Sequence, residues 1–351
     1  MRNLTHNSIE AEDLRIAVAK LAKFAQSFDN KVVLVTGATG LIGRYVTLIL
    51  LAMTHTLPIK IRVVAQGRNL AKLEDVFSVV KDDTFLHLWA DDLMGNLEPP
   101  LKPNFIIHAA SPTTSCDFVE KPIEVIESIY QSTVNVLDLA DRVHVQSMLY
   151  LSSMEVYGFI CESKTVTENH VGTLEMLSLR SSYPQAKRLA ELLCASYARE
   201  RGLSVKIARL SMIFGPGVKR NDNRVLNYFI EQIRCKRSIK LVTAGKSKAS
   251  VLYLREAVEA LVYLLFLGHN GEAYNVANPT NYMSIYDMAT IASHLTDVEV
   301  ICGDVENTLN TPYPRDNNLN LSTEKINTLG WKPTVCLQDI FSRTLAYAQE
   351  H

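Results

Sequence analysis

The sequence lacks several features that would point to a membrane protein or a nucleic-acid-binding protein. Its 351 residues contain no run of about 18 apolar residues, the length that a membrane-spanning helix requires. The 36 Lys and Arg residues are balanced by 37 Asp and Glu residues, for a formal net charge of −1. This balance argues against an affinity that comes from neutralising nucleic-acid phosphates, and it gives no polybasic signal for a membrane surface. We therefore expect no nucleic acid and no membrane among the partners.

Cysteine is also scarce, with six residues scattered along the chain and no CxxC pair. This spacing predicts neither a zinc cluster nor a disulfide framework, so no metal site is expected. The first residues carry charges, at Glu10, Glu12 and Asp13, where a signal peptide would need an apolar stretch. These absences favour a cytoplasmic protein with reduced thiols. The 47% of hydrophobic residues is enough to bury a large core.

From residue 31 onward, short β-rich apolar runs alternate with helical stretches. The predicted strands cover 32–35, 61–65, 105–109, 148–152 and 205–210, and the predicted helices cover 9–27, 42–54, 122–142, 184–200, 254–267 and 336–349. Buried strands separated by helices are typical of α/β proteins with a doubly wound parallel sheet of the Rossmann type. After residue 210 the alternation loosens and turn residues punctuate short elements, which predicts a smaller α/β lobe. We expect the last helix to pack back on the first domain.

A glycine-rich turn follows the first predicted strand, with the sequence Thr36-Gly37-Ala38-Thr39-Gly40-Leu41-Ile42-Gly43. Gly37 allows the tight turn, Gly40 lets the backbone approach a diphosphate, and Gly43 permits close packing of helix on strand. The N-terminus of the following helix offers free N–H groups to the anion. Three glycines at these positions are expected by chance only about 0.03 times in such a chain. The turn, from Gly37 to Gly43, is therefore interpreted as the binding site of a dinucleotide cofactor.

The second predicted strand ends without the acidic residue that normally holds the adenosine ribose of NAD. Its last residues are Gln66, Gly67 and Arg68. Arg68 can pair with a 2′-phosphate or stack on adenine, while an exposed surface arginine is the plain alternative. The choice between NAD and NADP stays open, with NADP favoured.

Tyr183 and Lys187 lie four residues apart at the start of a predicted helix and so share one helical face. Ser182 is expected to cap this helix. A nearby ammonium lowers the pKa of a tyrosine, so Tyr183 can remove a proton from a sugar hydroxyl while hydride leaves for a nicotinamide. Lys187 is also expected to hold the nicotinamide ribose. Such a pair arises by chance about 0.7 times in this chain, so its value depends on its place after the glycine-rich turn.

The strand before this helix ends at Ser152 and Ser153. A hydroxyl at the end of a strand can hydrogen-bond the reacting oxygen and assist Tyr183. We favour Ser153 for this role and place Ser152 second, beside the cofactor. Serines that only cap a loop are the alternative.

Taken in order, these motifs resemble those of the extended short-chain dehydrogenase/reductase superfamily, in its NAD-dependent epimerase/dehydratase branch. Further matching segments cover 90–93, 107–111, 152–158, 209–216, 271–275 and 329–333. The resemblance implies a Rossmann domain for the cofactor, a C-terminal lobe for a nucleotide-diphosphate sugar, and a homodimer formed through helices 122–142 and 184–200. It also implies that Asp92 and Leu93 lie at the adenine and that Ala109, Ala110 and Ser111 line the cofactor.

Within this branch, residues 153–158 are most similar to sugar-nucleotide 4,6-dehydratases and UDP-glucuronate decarboxylases. Dehydratases carry an Asp-Glu pair there, in which the Asp protonates the leaving hydroxyl and the Glu takes the C5 proton. Met154 fills the Asp position and cannot donate a proton, whereas Glu155 remains. The resemblance therefore favours a reaction like that of UDP-glucuronate decarboxylase. The alternatives are a 4-epimerase, a 4,6-dehydratase, a net reductase or dehydrogenase on a nucleotide-linked polyol or sugar, and a non-catalytic NAD(P)-binding scaffold.

Two departures from the family concern substrate recognition. Met212 stands where the family often has an Asn, and Ala249 fills a position that is often Arg. The candidate substrate contacts are Thr113, Arg224, Lys246 and Arg315, with Lys248 a further cation for a diphosphate or carboxylate. We expect an N-terminal helical extension over 1–30 and an NAD(P)-binding Rossmann domain over 31–210. The rest, 211–351, is expected to be mostly substrate-binding lobe, with some segments returning to the Rossmann domain.

Overall fold

The computed structural model describes residues 4–160, 165–220, 222, 224–303 and 317–350. The strands are β1 (Lys31–Thr36), β2 (Ile61–Gly67), β3 (Leu86–Ala90), β4 (Phe105–His108), β5 (Ser147–Ser153), β6 (Thr165–Val166), β7 (Val205–Leu210), β8 (Met212–Phe214), β9 (Ile239–Leu241), β10 (Lys248–Tyr253), β11 (Ala273–Val276), β12 (Tyr282–Ser284), β13 (Val300–Cys302) and β14 (Asn318–Leu321). The α-helices are α1 (Ser8–Leu21), α2 (Ala25–Phe28), α3 (Leu41–Thr56), α4 (Leu70–Val76), α5 (Asp117–Glu120), α6 (Pro122–Arg142), α7 (Ser182–Arg201), α8 (Val225–Arg234), α9 (Leu254–Leu267), α10 (Ile285–Ser293), α11 (Glu324–Asn327) and α12 (Leu337–Gln349).

The main sheet has seven strands in the order β11-β7-β5-β4-β1-β2-β3, and every pairing in it is parallel. The order reverses between β1 and β4, which is where open α/β sheets leave a crevice at the carboxyl ends of their strands. The predicted α/β fold class is confirmed. All five predicted strands lie in this sheet, and α6 and α9 have the predicted bounds. Sequence reasoning missed β3, which follows a short helix.

A second sheet has the order β12-β10-β14-β6, with β8 beside β10, and β9 pairs with β13. For two strands, the position in the sequence does not match the sheet to which they belong. β11 follows residue 210 but belongs to the main sheet, whereas β6 precedes residue 210 and belongs to the second sheet. The division of the chain at residue 210 stays a prediction. Neither of these two strands lies in the sheet that this boundary would assign to it.

The N-terminal helices form part of the core. Asn7 caps α1, because its side chain accepts hydrogen bonds from the amides of Ile9 and Glu10. The apolar face of α1 is buried against α3 and α9, and Phe28 packs on the rings of Phe105 and Phe266. This explains why an amphipathic pattern appears at this end of the chain. None of the described helices combines the length and the apolar character needed to cross a membrane.

The last helix packs on both parts of the chain. α12 packs on α8 and α10, in a cluster that includes Phe229, Ile340 and Phe341, and it also contacts α1. Its Arg343 donates a hydrogen bond of 2.8 Å to Asp13 of α1. The apolar face of α12 therefore belongs to the core of the later part of the chain, while its polar residues join it to α1.

Candidate active site

The glycine-rich turn lies at the carboxyl end of β1, at the point where the strand order reverses. Gly37 has φ of +64°, and a Cβ on it would lie 2.7 Å from the backbone N of Ala110. A Cβ on Gly43 would overlap the Gly37 carbonyl oxygen. Gly40 precedes α3, and no side chain caps this helix of 16 residues. The free N–H groups at this N-terminus and the room left by the glycines fit a dinucleotide diphosphate.

The end of β2 is fixed by Gln66, whose role sequence reasoning missed. Its Oε1 accepts a hydrogen bond of 3.1 Å from the Gly37 amide, and its Nε2 donates to the Asp91 carbonyl at 2.7 Å. Arg68 is exposed, and no described side chain pairs with it. The Arg68 guanidinium is therefore available to a ligand at this edge of the crevice.

The residues predicted to meet the adenine and to line the cofactor occupy different environments. Asp92 is exposed, whereas Leu93 is buried in the core and its carbonyl accepts a hydrogen bond from Asn135. Ala109, Ala110 and Ser111 follow β4 and are half-buried at the crevice, as expected from their place after the strand.

His108 is the last residue of β4 and lies beside Thr36, the last residue of β1. Its Nδ1 lies 2.7 Å from Thr36 Oγ1, and its Nε2 is buried with no partner among the described residues. Burial lowers the pKa of His108 to about 3, with the charge of Lys187 acting in the same direction. His108 is therefore neutral at the floor of the crevice.

Tyr183 is buried where the crevice meets the second part of the chain. Ser153 and Ser111 lie close enough to its hydroxyl to lower its pKa against the effect of burial, so the structure brings the favoured serine to the tyrosine. Phe118 stacks on the Tyr183 ring, with ring centroids 4.3 Å apart and an interplanar angle of 8°. Ser182 does not cap α7, and its hydroxyl donates to the Phe118 carbonyl at 2.8 Å. The cap prediction is wrong because Ser182 already lies within the helix.

Lys187 lies one helical turn after Tyr183 and is buried. Its Nζ donates a 2.7 Å hydrogen bond to the Leu151 carbonyl and stands 5.8 Å from the centroid of the Tyr183 ring. Burial lowers the pKa of Lys187 to about 7, opposed by the charge of Glu191. The expected lowering of the Tyr183 pKa is wrong for this structure. Burial, and then the charge of Glu155, raises the pKa of Tyr183.

Glu155 lies in the short helical turn that follows β5. The Ser153 hydroxyl accepts a hydrogen bond from the Glu155 amide, and the carboxylate forms a two-point ion pair with Arg180 at 2.8 and 3.0 Å. The Arg180 guanidinium also stands 5.0 Å over the Phe118 ring. Sequence reasoning missed Arg180. Its position three residues before Tyr183 could have indicated a cation close to the site.

A cavity of about 1130 Å³ opens beside these residues, slightly above the roughly 300–1,000 Å³ that is typical of small-molecule sites and large enough for a nucleotide sugar. Met154 and Glu155 line one side of it. Met212 and Ala249 lie on neighbouring strands of the second sheet and also line it, together with Leu319, the register partner of Ala249, which belongs to the same apolar cluster as Met154. The described cations that line this cavity are Arg180, Arg220, Lys240 and Lys248.

The structure does not bring the other predicted substrate contacts to this cavity. Arg224 is paired with Asp222 at 2.6 Å, only two residues away in the chain. Thr113 is exposed in the loop after β4, and Lys246 is absent from the lining of the cavity. Arg315 lies outside the described residues. Lys248, the further cation named from the sequence, does line the cavity, whereas Arg224 is held by its local partner Asp222.

Residues 33–277 match the profile of the NAD dependent epimerase/dehydratase family. The chain belongs to this family. The membership confirms the resemblance seen in the sequence and identifies the protein as an NAD-dependent enzyme. Among curated members, UDP-glucuronic acid decarboxylase 1 of Arabidopsis thaliana is 27% identical over 320 residues, which cover 90% of this chain and 69% of the relative. UDP-glucuronic acid decarboxylase 6 of the same plant is 28% identical, with coverage of 91% and 88%.

Solved structures of other proteins share the fold. A UDP-glucuronic acid 4-epimerase from Bacillus cereus, in complex with UDP-glucuronic acid and NAD, has a TM-score of 0.76 at 19% identity, covering 91% of this chain and 99% of the other. A dTDP-glucose 4,6-dehydratase from Streptomyces venezuelae with NAD bound also has a TM-score of 0.76, at 22% identity, covering 91% and 97%.

Proposed function

We propose that this family member oxidises a nucleotide-diphosphate sugar at C4 and that its substrate is a UDP-uronate, which it decarboxylates. NAD, when bound, accepts the hydride from C4 and later returns it. Tyr183, beside Ser153 and Ser111, takes the proton of the C4 hydroxyl. This step needs the phenolate, so the pKa of Tyr183 that burial raises here must fall when cofactor and substrate bind. Oxidation gives a β-keto acid. Its C5–C6 bond then breaks, carbon dioxide leaves, and the electron pair passes to the C4 oxygen as an enolate that is protonated at C5.

The observation that carries this proposal is the apolar character of the cavity wall beside the catalytic residues. Met154 stands where a dehydratase needs a proton donor for the leaving hydroxyl, whereas carbon dioxide leaves without one. Met212, Ala249 and Leu319 extend this wall. An apolar surface favours a step in which a carboxylate loses its charge as a neutral product. The similarity to UDP-glucuronic acid decarboxylases supports the same assignment.

Epimerisation at C4 is the second candidate, and Arg180 is the observation that favours it. Among the described cations that line the cavity, Arg180 lies three residues before Tyr183 in the chain. Its guanidinium forms an ion pair with Glu155. If a substrate carboxylate displaced Glu155, the cation would stabilise that carboxylate and oppose its loss. The ketone would then be reduced from either face without loss of carbon.

Mass spectrometry of the products from UDP-glucuronate, UDP-glucose, dTDP-glucose and GDP- and CDP-sugars tests this assignment. We expect the uronate alone to lose the mass of carbon dioxide, with no net change in absorbance at the reduced-nicotinamide band. The Tyr183→Phe enzyme is the inactive control. A product of unchanged mass with inverted C4 would select the epimerase, and a 4-keto-6-deoxy product would overturn the assignment of Met154.

The preference for NADP over NAD, a homodimer and a cytoplasmic location belong to the same proposal. Exposed Arg68 supports a contact with a 2′-phosphate. Exposed apolar side chains on the packed pair α6 and α7 support a dimer through these helices, and they are Ile123, Ile126, Tyr130, Leu189 and Leu192. The five described cysteines are all free thiols, which supports a reducing compartment.

A further inference from the structure

One face of α7 carries three buried polar side chains at a spacing of four residues, Tyr183, Lys187 and Glu191. Each of them contacts one of three consecutive residues at the end of β5. Ser153 lies close enough to the Tyr183 hydroxyl to lower its pKa, Lys187 Nζ donates to the Leu151 carbonyl at 2.7 Å, and Glu191 Oε1 accepts from Ser152 Oγ at 2.5 Å. The third contact places Glu191 on the same helix–strand seam, the contact between α7 and the end of β5, as the two residues assigned to the reaction.

Glu191 is held from its other side by Arg209 of β7. The Arg209 Nε and Nη2 groups donate to both carboxylate oxygens of Glu191, at distances from 2.6 to 3.1 Å. Arg209 Nη1 in turn donates to the Tyr157 hydroxyl and the Glu168 carbonyl, at 3.0 and 2.8 Å. The Glu191 carboxylate, carried by α7, is therefore held by side chains from two strands of the main sheet, Ser152 of β5 and Arg209 of β7.

The groups around Lys187 show what this carboxylate supplies. His108 faces Lys187 from β4, Tyr150 faces it from β5 at 4.7 Å from ring centroid to Nζ, and Tyr183, Glu191 and Cys194 face it from α7. Glu191 is the acidic member of this set. Burial lowers the pKa of Lys187 to about 7, and Glu191 makes the larger of the two opposing contributions.

We propose that Glu191 is a positioning residue for the Tyr183–Lys187 pair, held for this role by Arg209 and Ser152. It orients the seam that carries both residues and keeps Lys187 an ammonium in a buried site. The inference rests on the proposed function, because it assigns Lys187 a part in the reaction and in cofactor binding. Without the Glu191 charge, buried Lys187 and half-buried Arg209 are two cations with no acid between them.

The test compares Glu191→Gln with Glu259→Gln as a matched control. Glu259 is also a buried carboxylate paired with an arginine, Arg255, but it lies on α9 against Lys20 of α1, away from the crevice. Both changes remove a buried charge of an ion pair, so both are expected to lower the melting temperature. Turnover and NAD affinity are then measured against pH for both variants and the wild type.

The proton linkage gives the sign of the shift. Activity that needs the Lys187 ammonium is lost as pH rises through the pKa of Lys187, and Glu191 raises that pKa. In Glu191→Gln we expect the alkaline limb of the pH profiles of turnover and of NAD affinity to shift to lower pH by about one unit. We also expect kcat at neutral pH to fall about tenfold or more, while KM changes little. Glu259→Gln should keep both profiles of the wild type.

Two further variants keep the inference falsifiable if Glu191→Gln folds poorly. Ser152→Ala removes only the hydroxyl that contacts Glu191 and should shift the limb in the same direction by less, and Glu191→Asp should restore part of the wild-type profile. Wild-type profiles in Glu191→Gln and Ser152→Ala, with only the melting temperature lowered, would show a purely structural role. If the wild-type enzyme acts on no nucleotide sugar, the proposed function fails, while the pH dependence of NAD affinity still decides the role of Glu191.

Discussion

Replacement of Gly37 by Ala tests the close approach between the glycine-rich turn and the segment after β4. Gly37 has φ of +64°, where an L-residue costs about 1–2 kcal/mol. The new Cβ would lie 2.7 Å from the backbone of Ala110, whose amide is tied to Thr36 Oγ1. Overpacking of this kind costs about 1–3 kcal/mol. We therefore expect the free energy of unfolding to fall by about 2–5 kcal/mol.

Two matched variants separate the backbone strain from the steric overlap. Gly202 has φ of +69°, and a Cβ on it would meet no atom within 4 Å, so Gly202→Ala should cost only the strain, about 1–2 kcal/mol. A Cβ on Gly95 would also meet nothing within 4 Å, and its φ lies outside the left-handed region. Gly95→Ala should therefore change stability little.

Chemical denaturation and calorimetric titration with NAD measure the two consequences. In Gly37→Ala the turn and the 109–110 segment must move apart, so NAD should bind at least about tenfold more weakly, a loss of about 1.4 kcal/mol. Gly202→Ala and Gly95→Ala should bind NAD like the wild type. Wild-type NAD affinity in Gly37→Ala, or a stability loss no greater than that of Gly202→Ala, would refute the reasoning about this turn.

Four other changes follow from the site. Tyr183→Phe should lower turnover at least about 100-fold while NAD still binds, and full activity would remove the proposed base. Arg68→Ala should weaken the binding of NADP more than that of NAD in the same titration, and equal losses would contradict the phosphate contact. Met154→Asp should slow decarboxylation, because it places a carboxyl group in the apolar wall, and an unchanged rate would deny that wall a role. Leu192→Glu should shift the mass measured by light scattering from dimer to monomer, whereas an unchanged mass would place the interface elsewhere.

The parts of the site that the sequence predicts are those encoded within a short stretch of chain. The glycine-rich turn needs only a strand, three glycines and a helix in order, and Tyr183 and Lys187 need only one helical turn. The approach of Ser153 to Tyr183 could be expected as well, because a strand end and a helix start meet at the same edge of a parallel sheet.

The contacts that sequence reasoning missed join residues far apart in the chain. The Glu155–Arg180 and Glu191–Arg209 ion pairs need the packed fold to bring their members together. A spacing of four also says nothing about burial, which is why the direction of the Tyr183 pKa shift was mispredicted. Arg224 is paired with a nearby acid, Asp222, a local contact that the prediction of a substrate role did not take into account.

Turnover of UDP-glucuronate labelled with deuterium at C4 tests the central claim most directly. If C4 is oxidised and then reduced by the same bound cofactor, the product should be a UDP-pentose that keeps the deuterium at C4, released with carbon dioxide and without net formation of reduced nicotinamide. A product that has lost the label to solvent, or a pentose formed with the C4 bond never broken, as shown by the absence of a deuterium isotope effect in single turnover, would contradict the account.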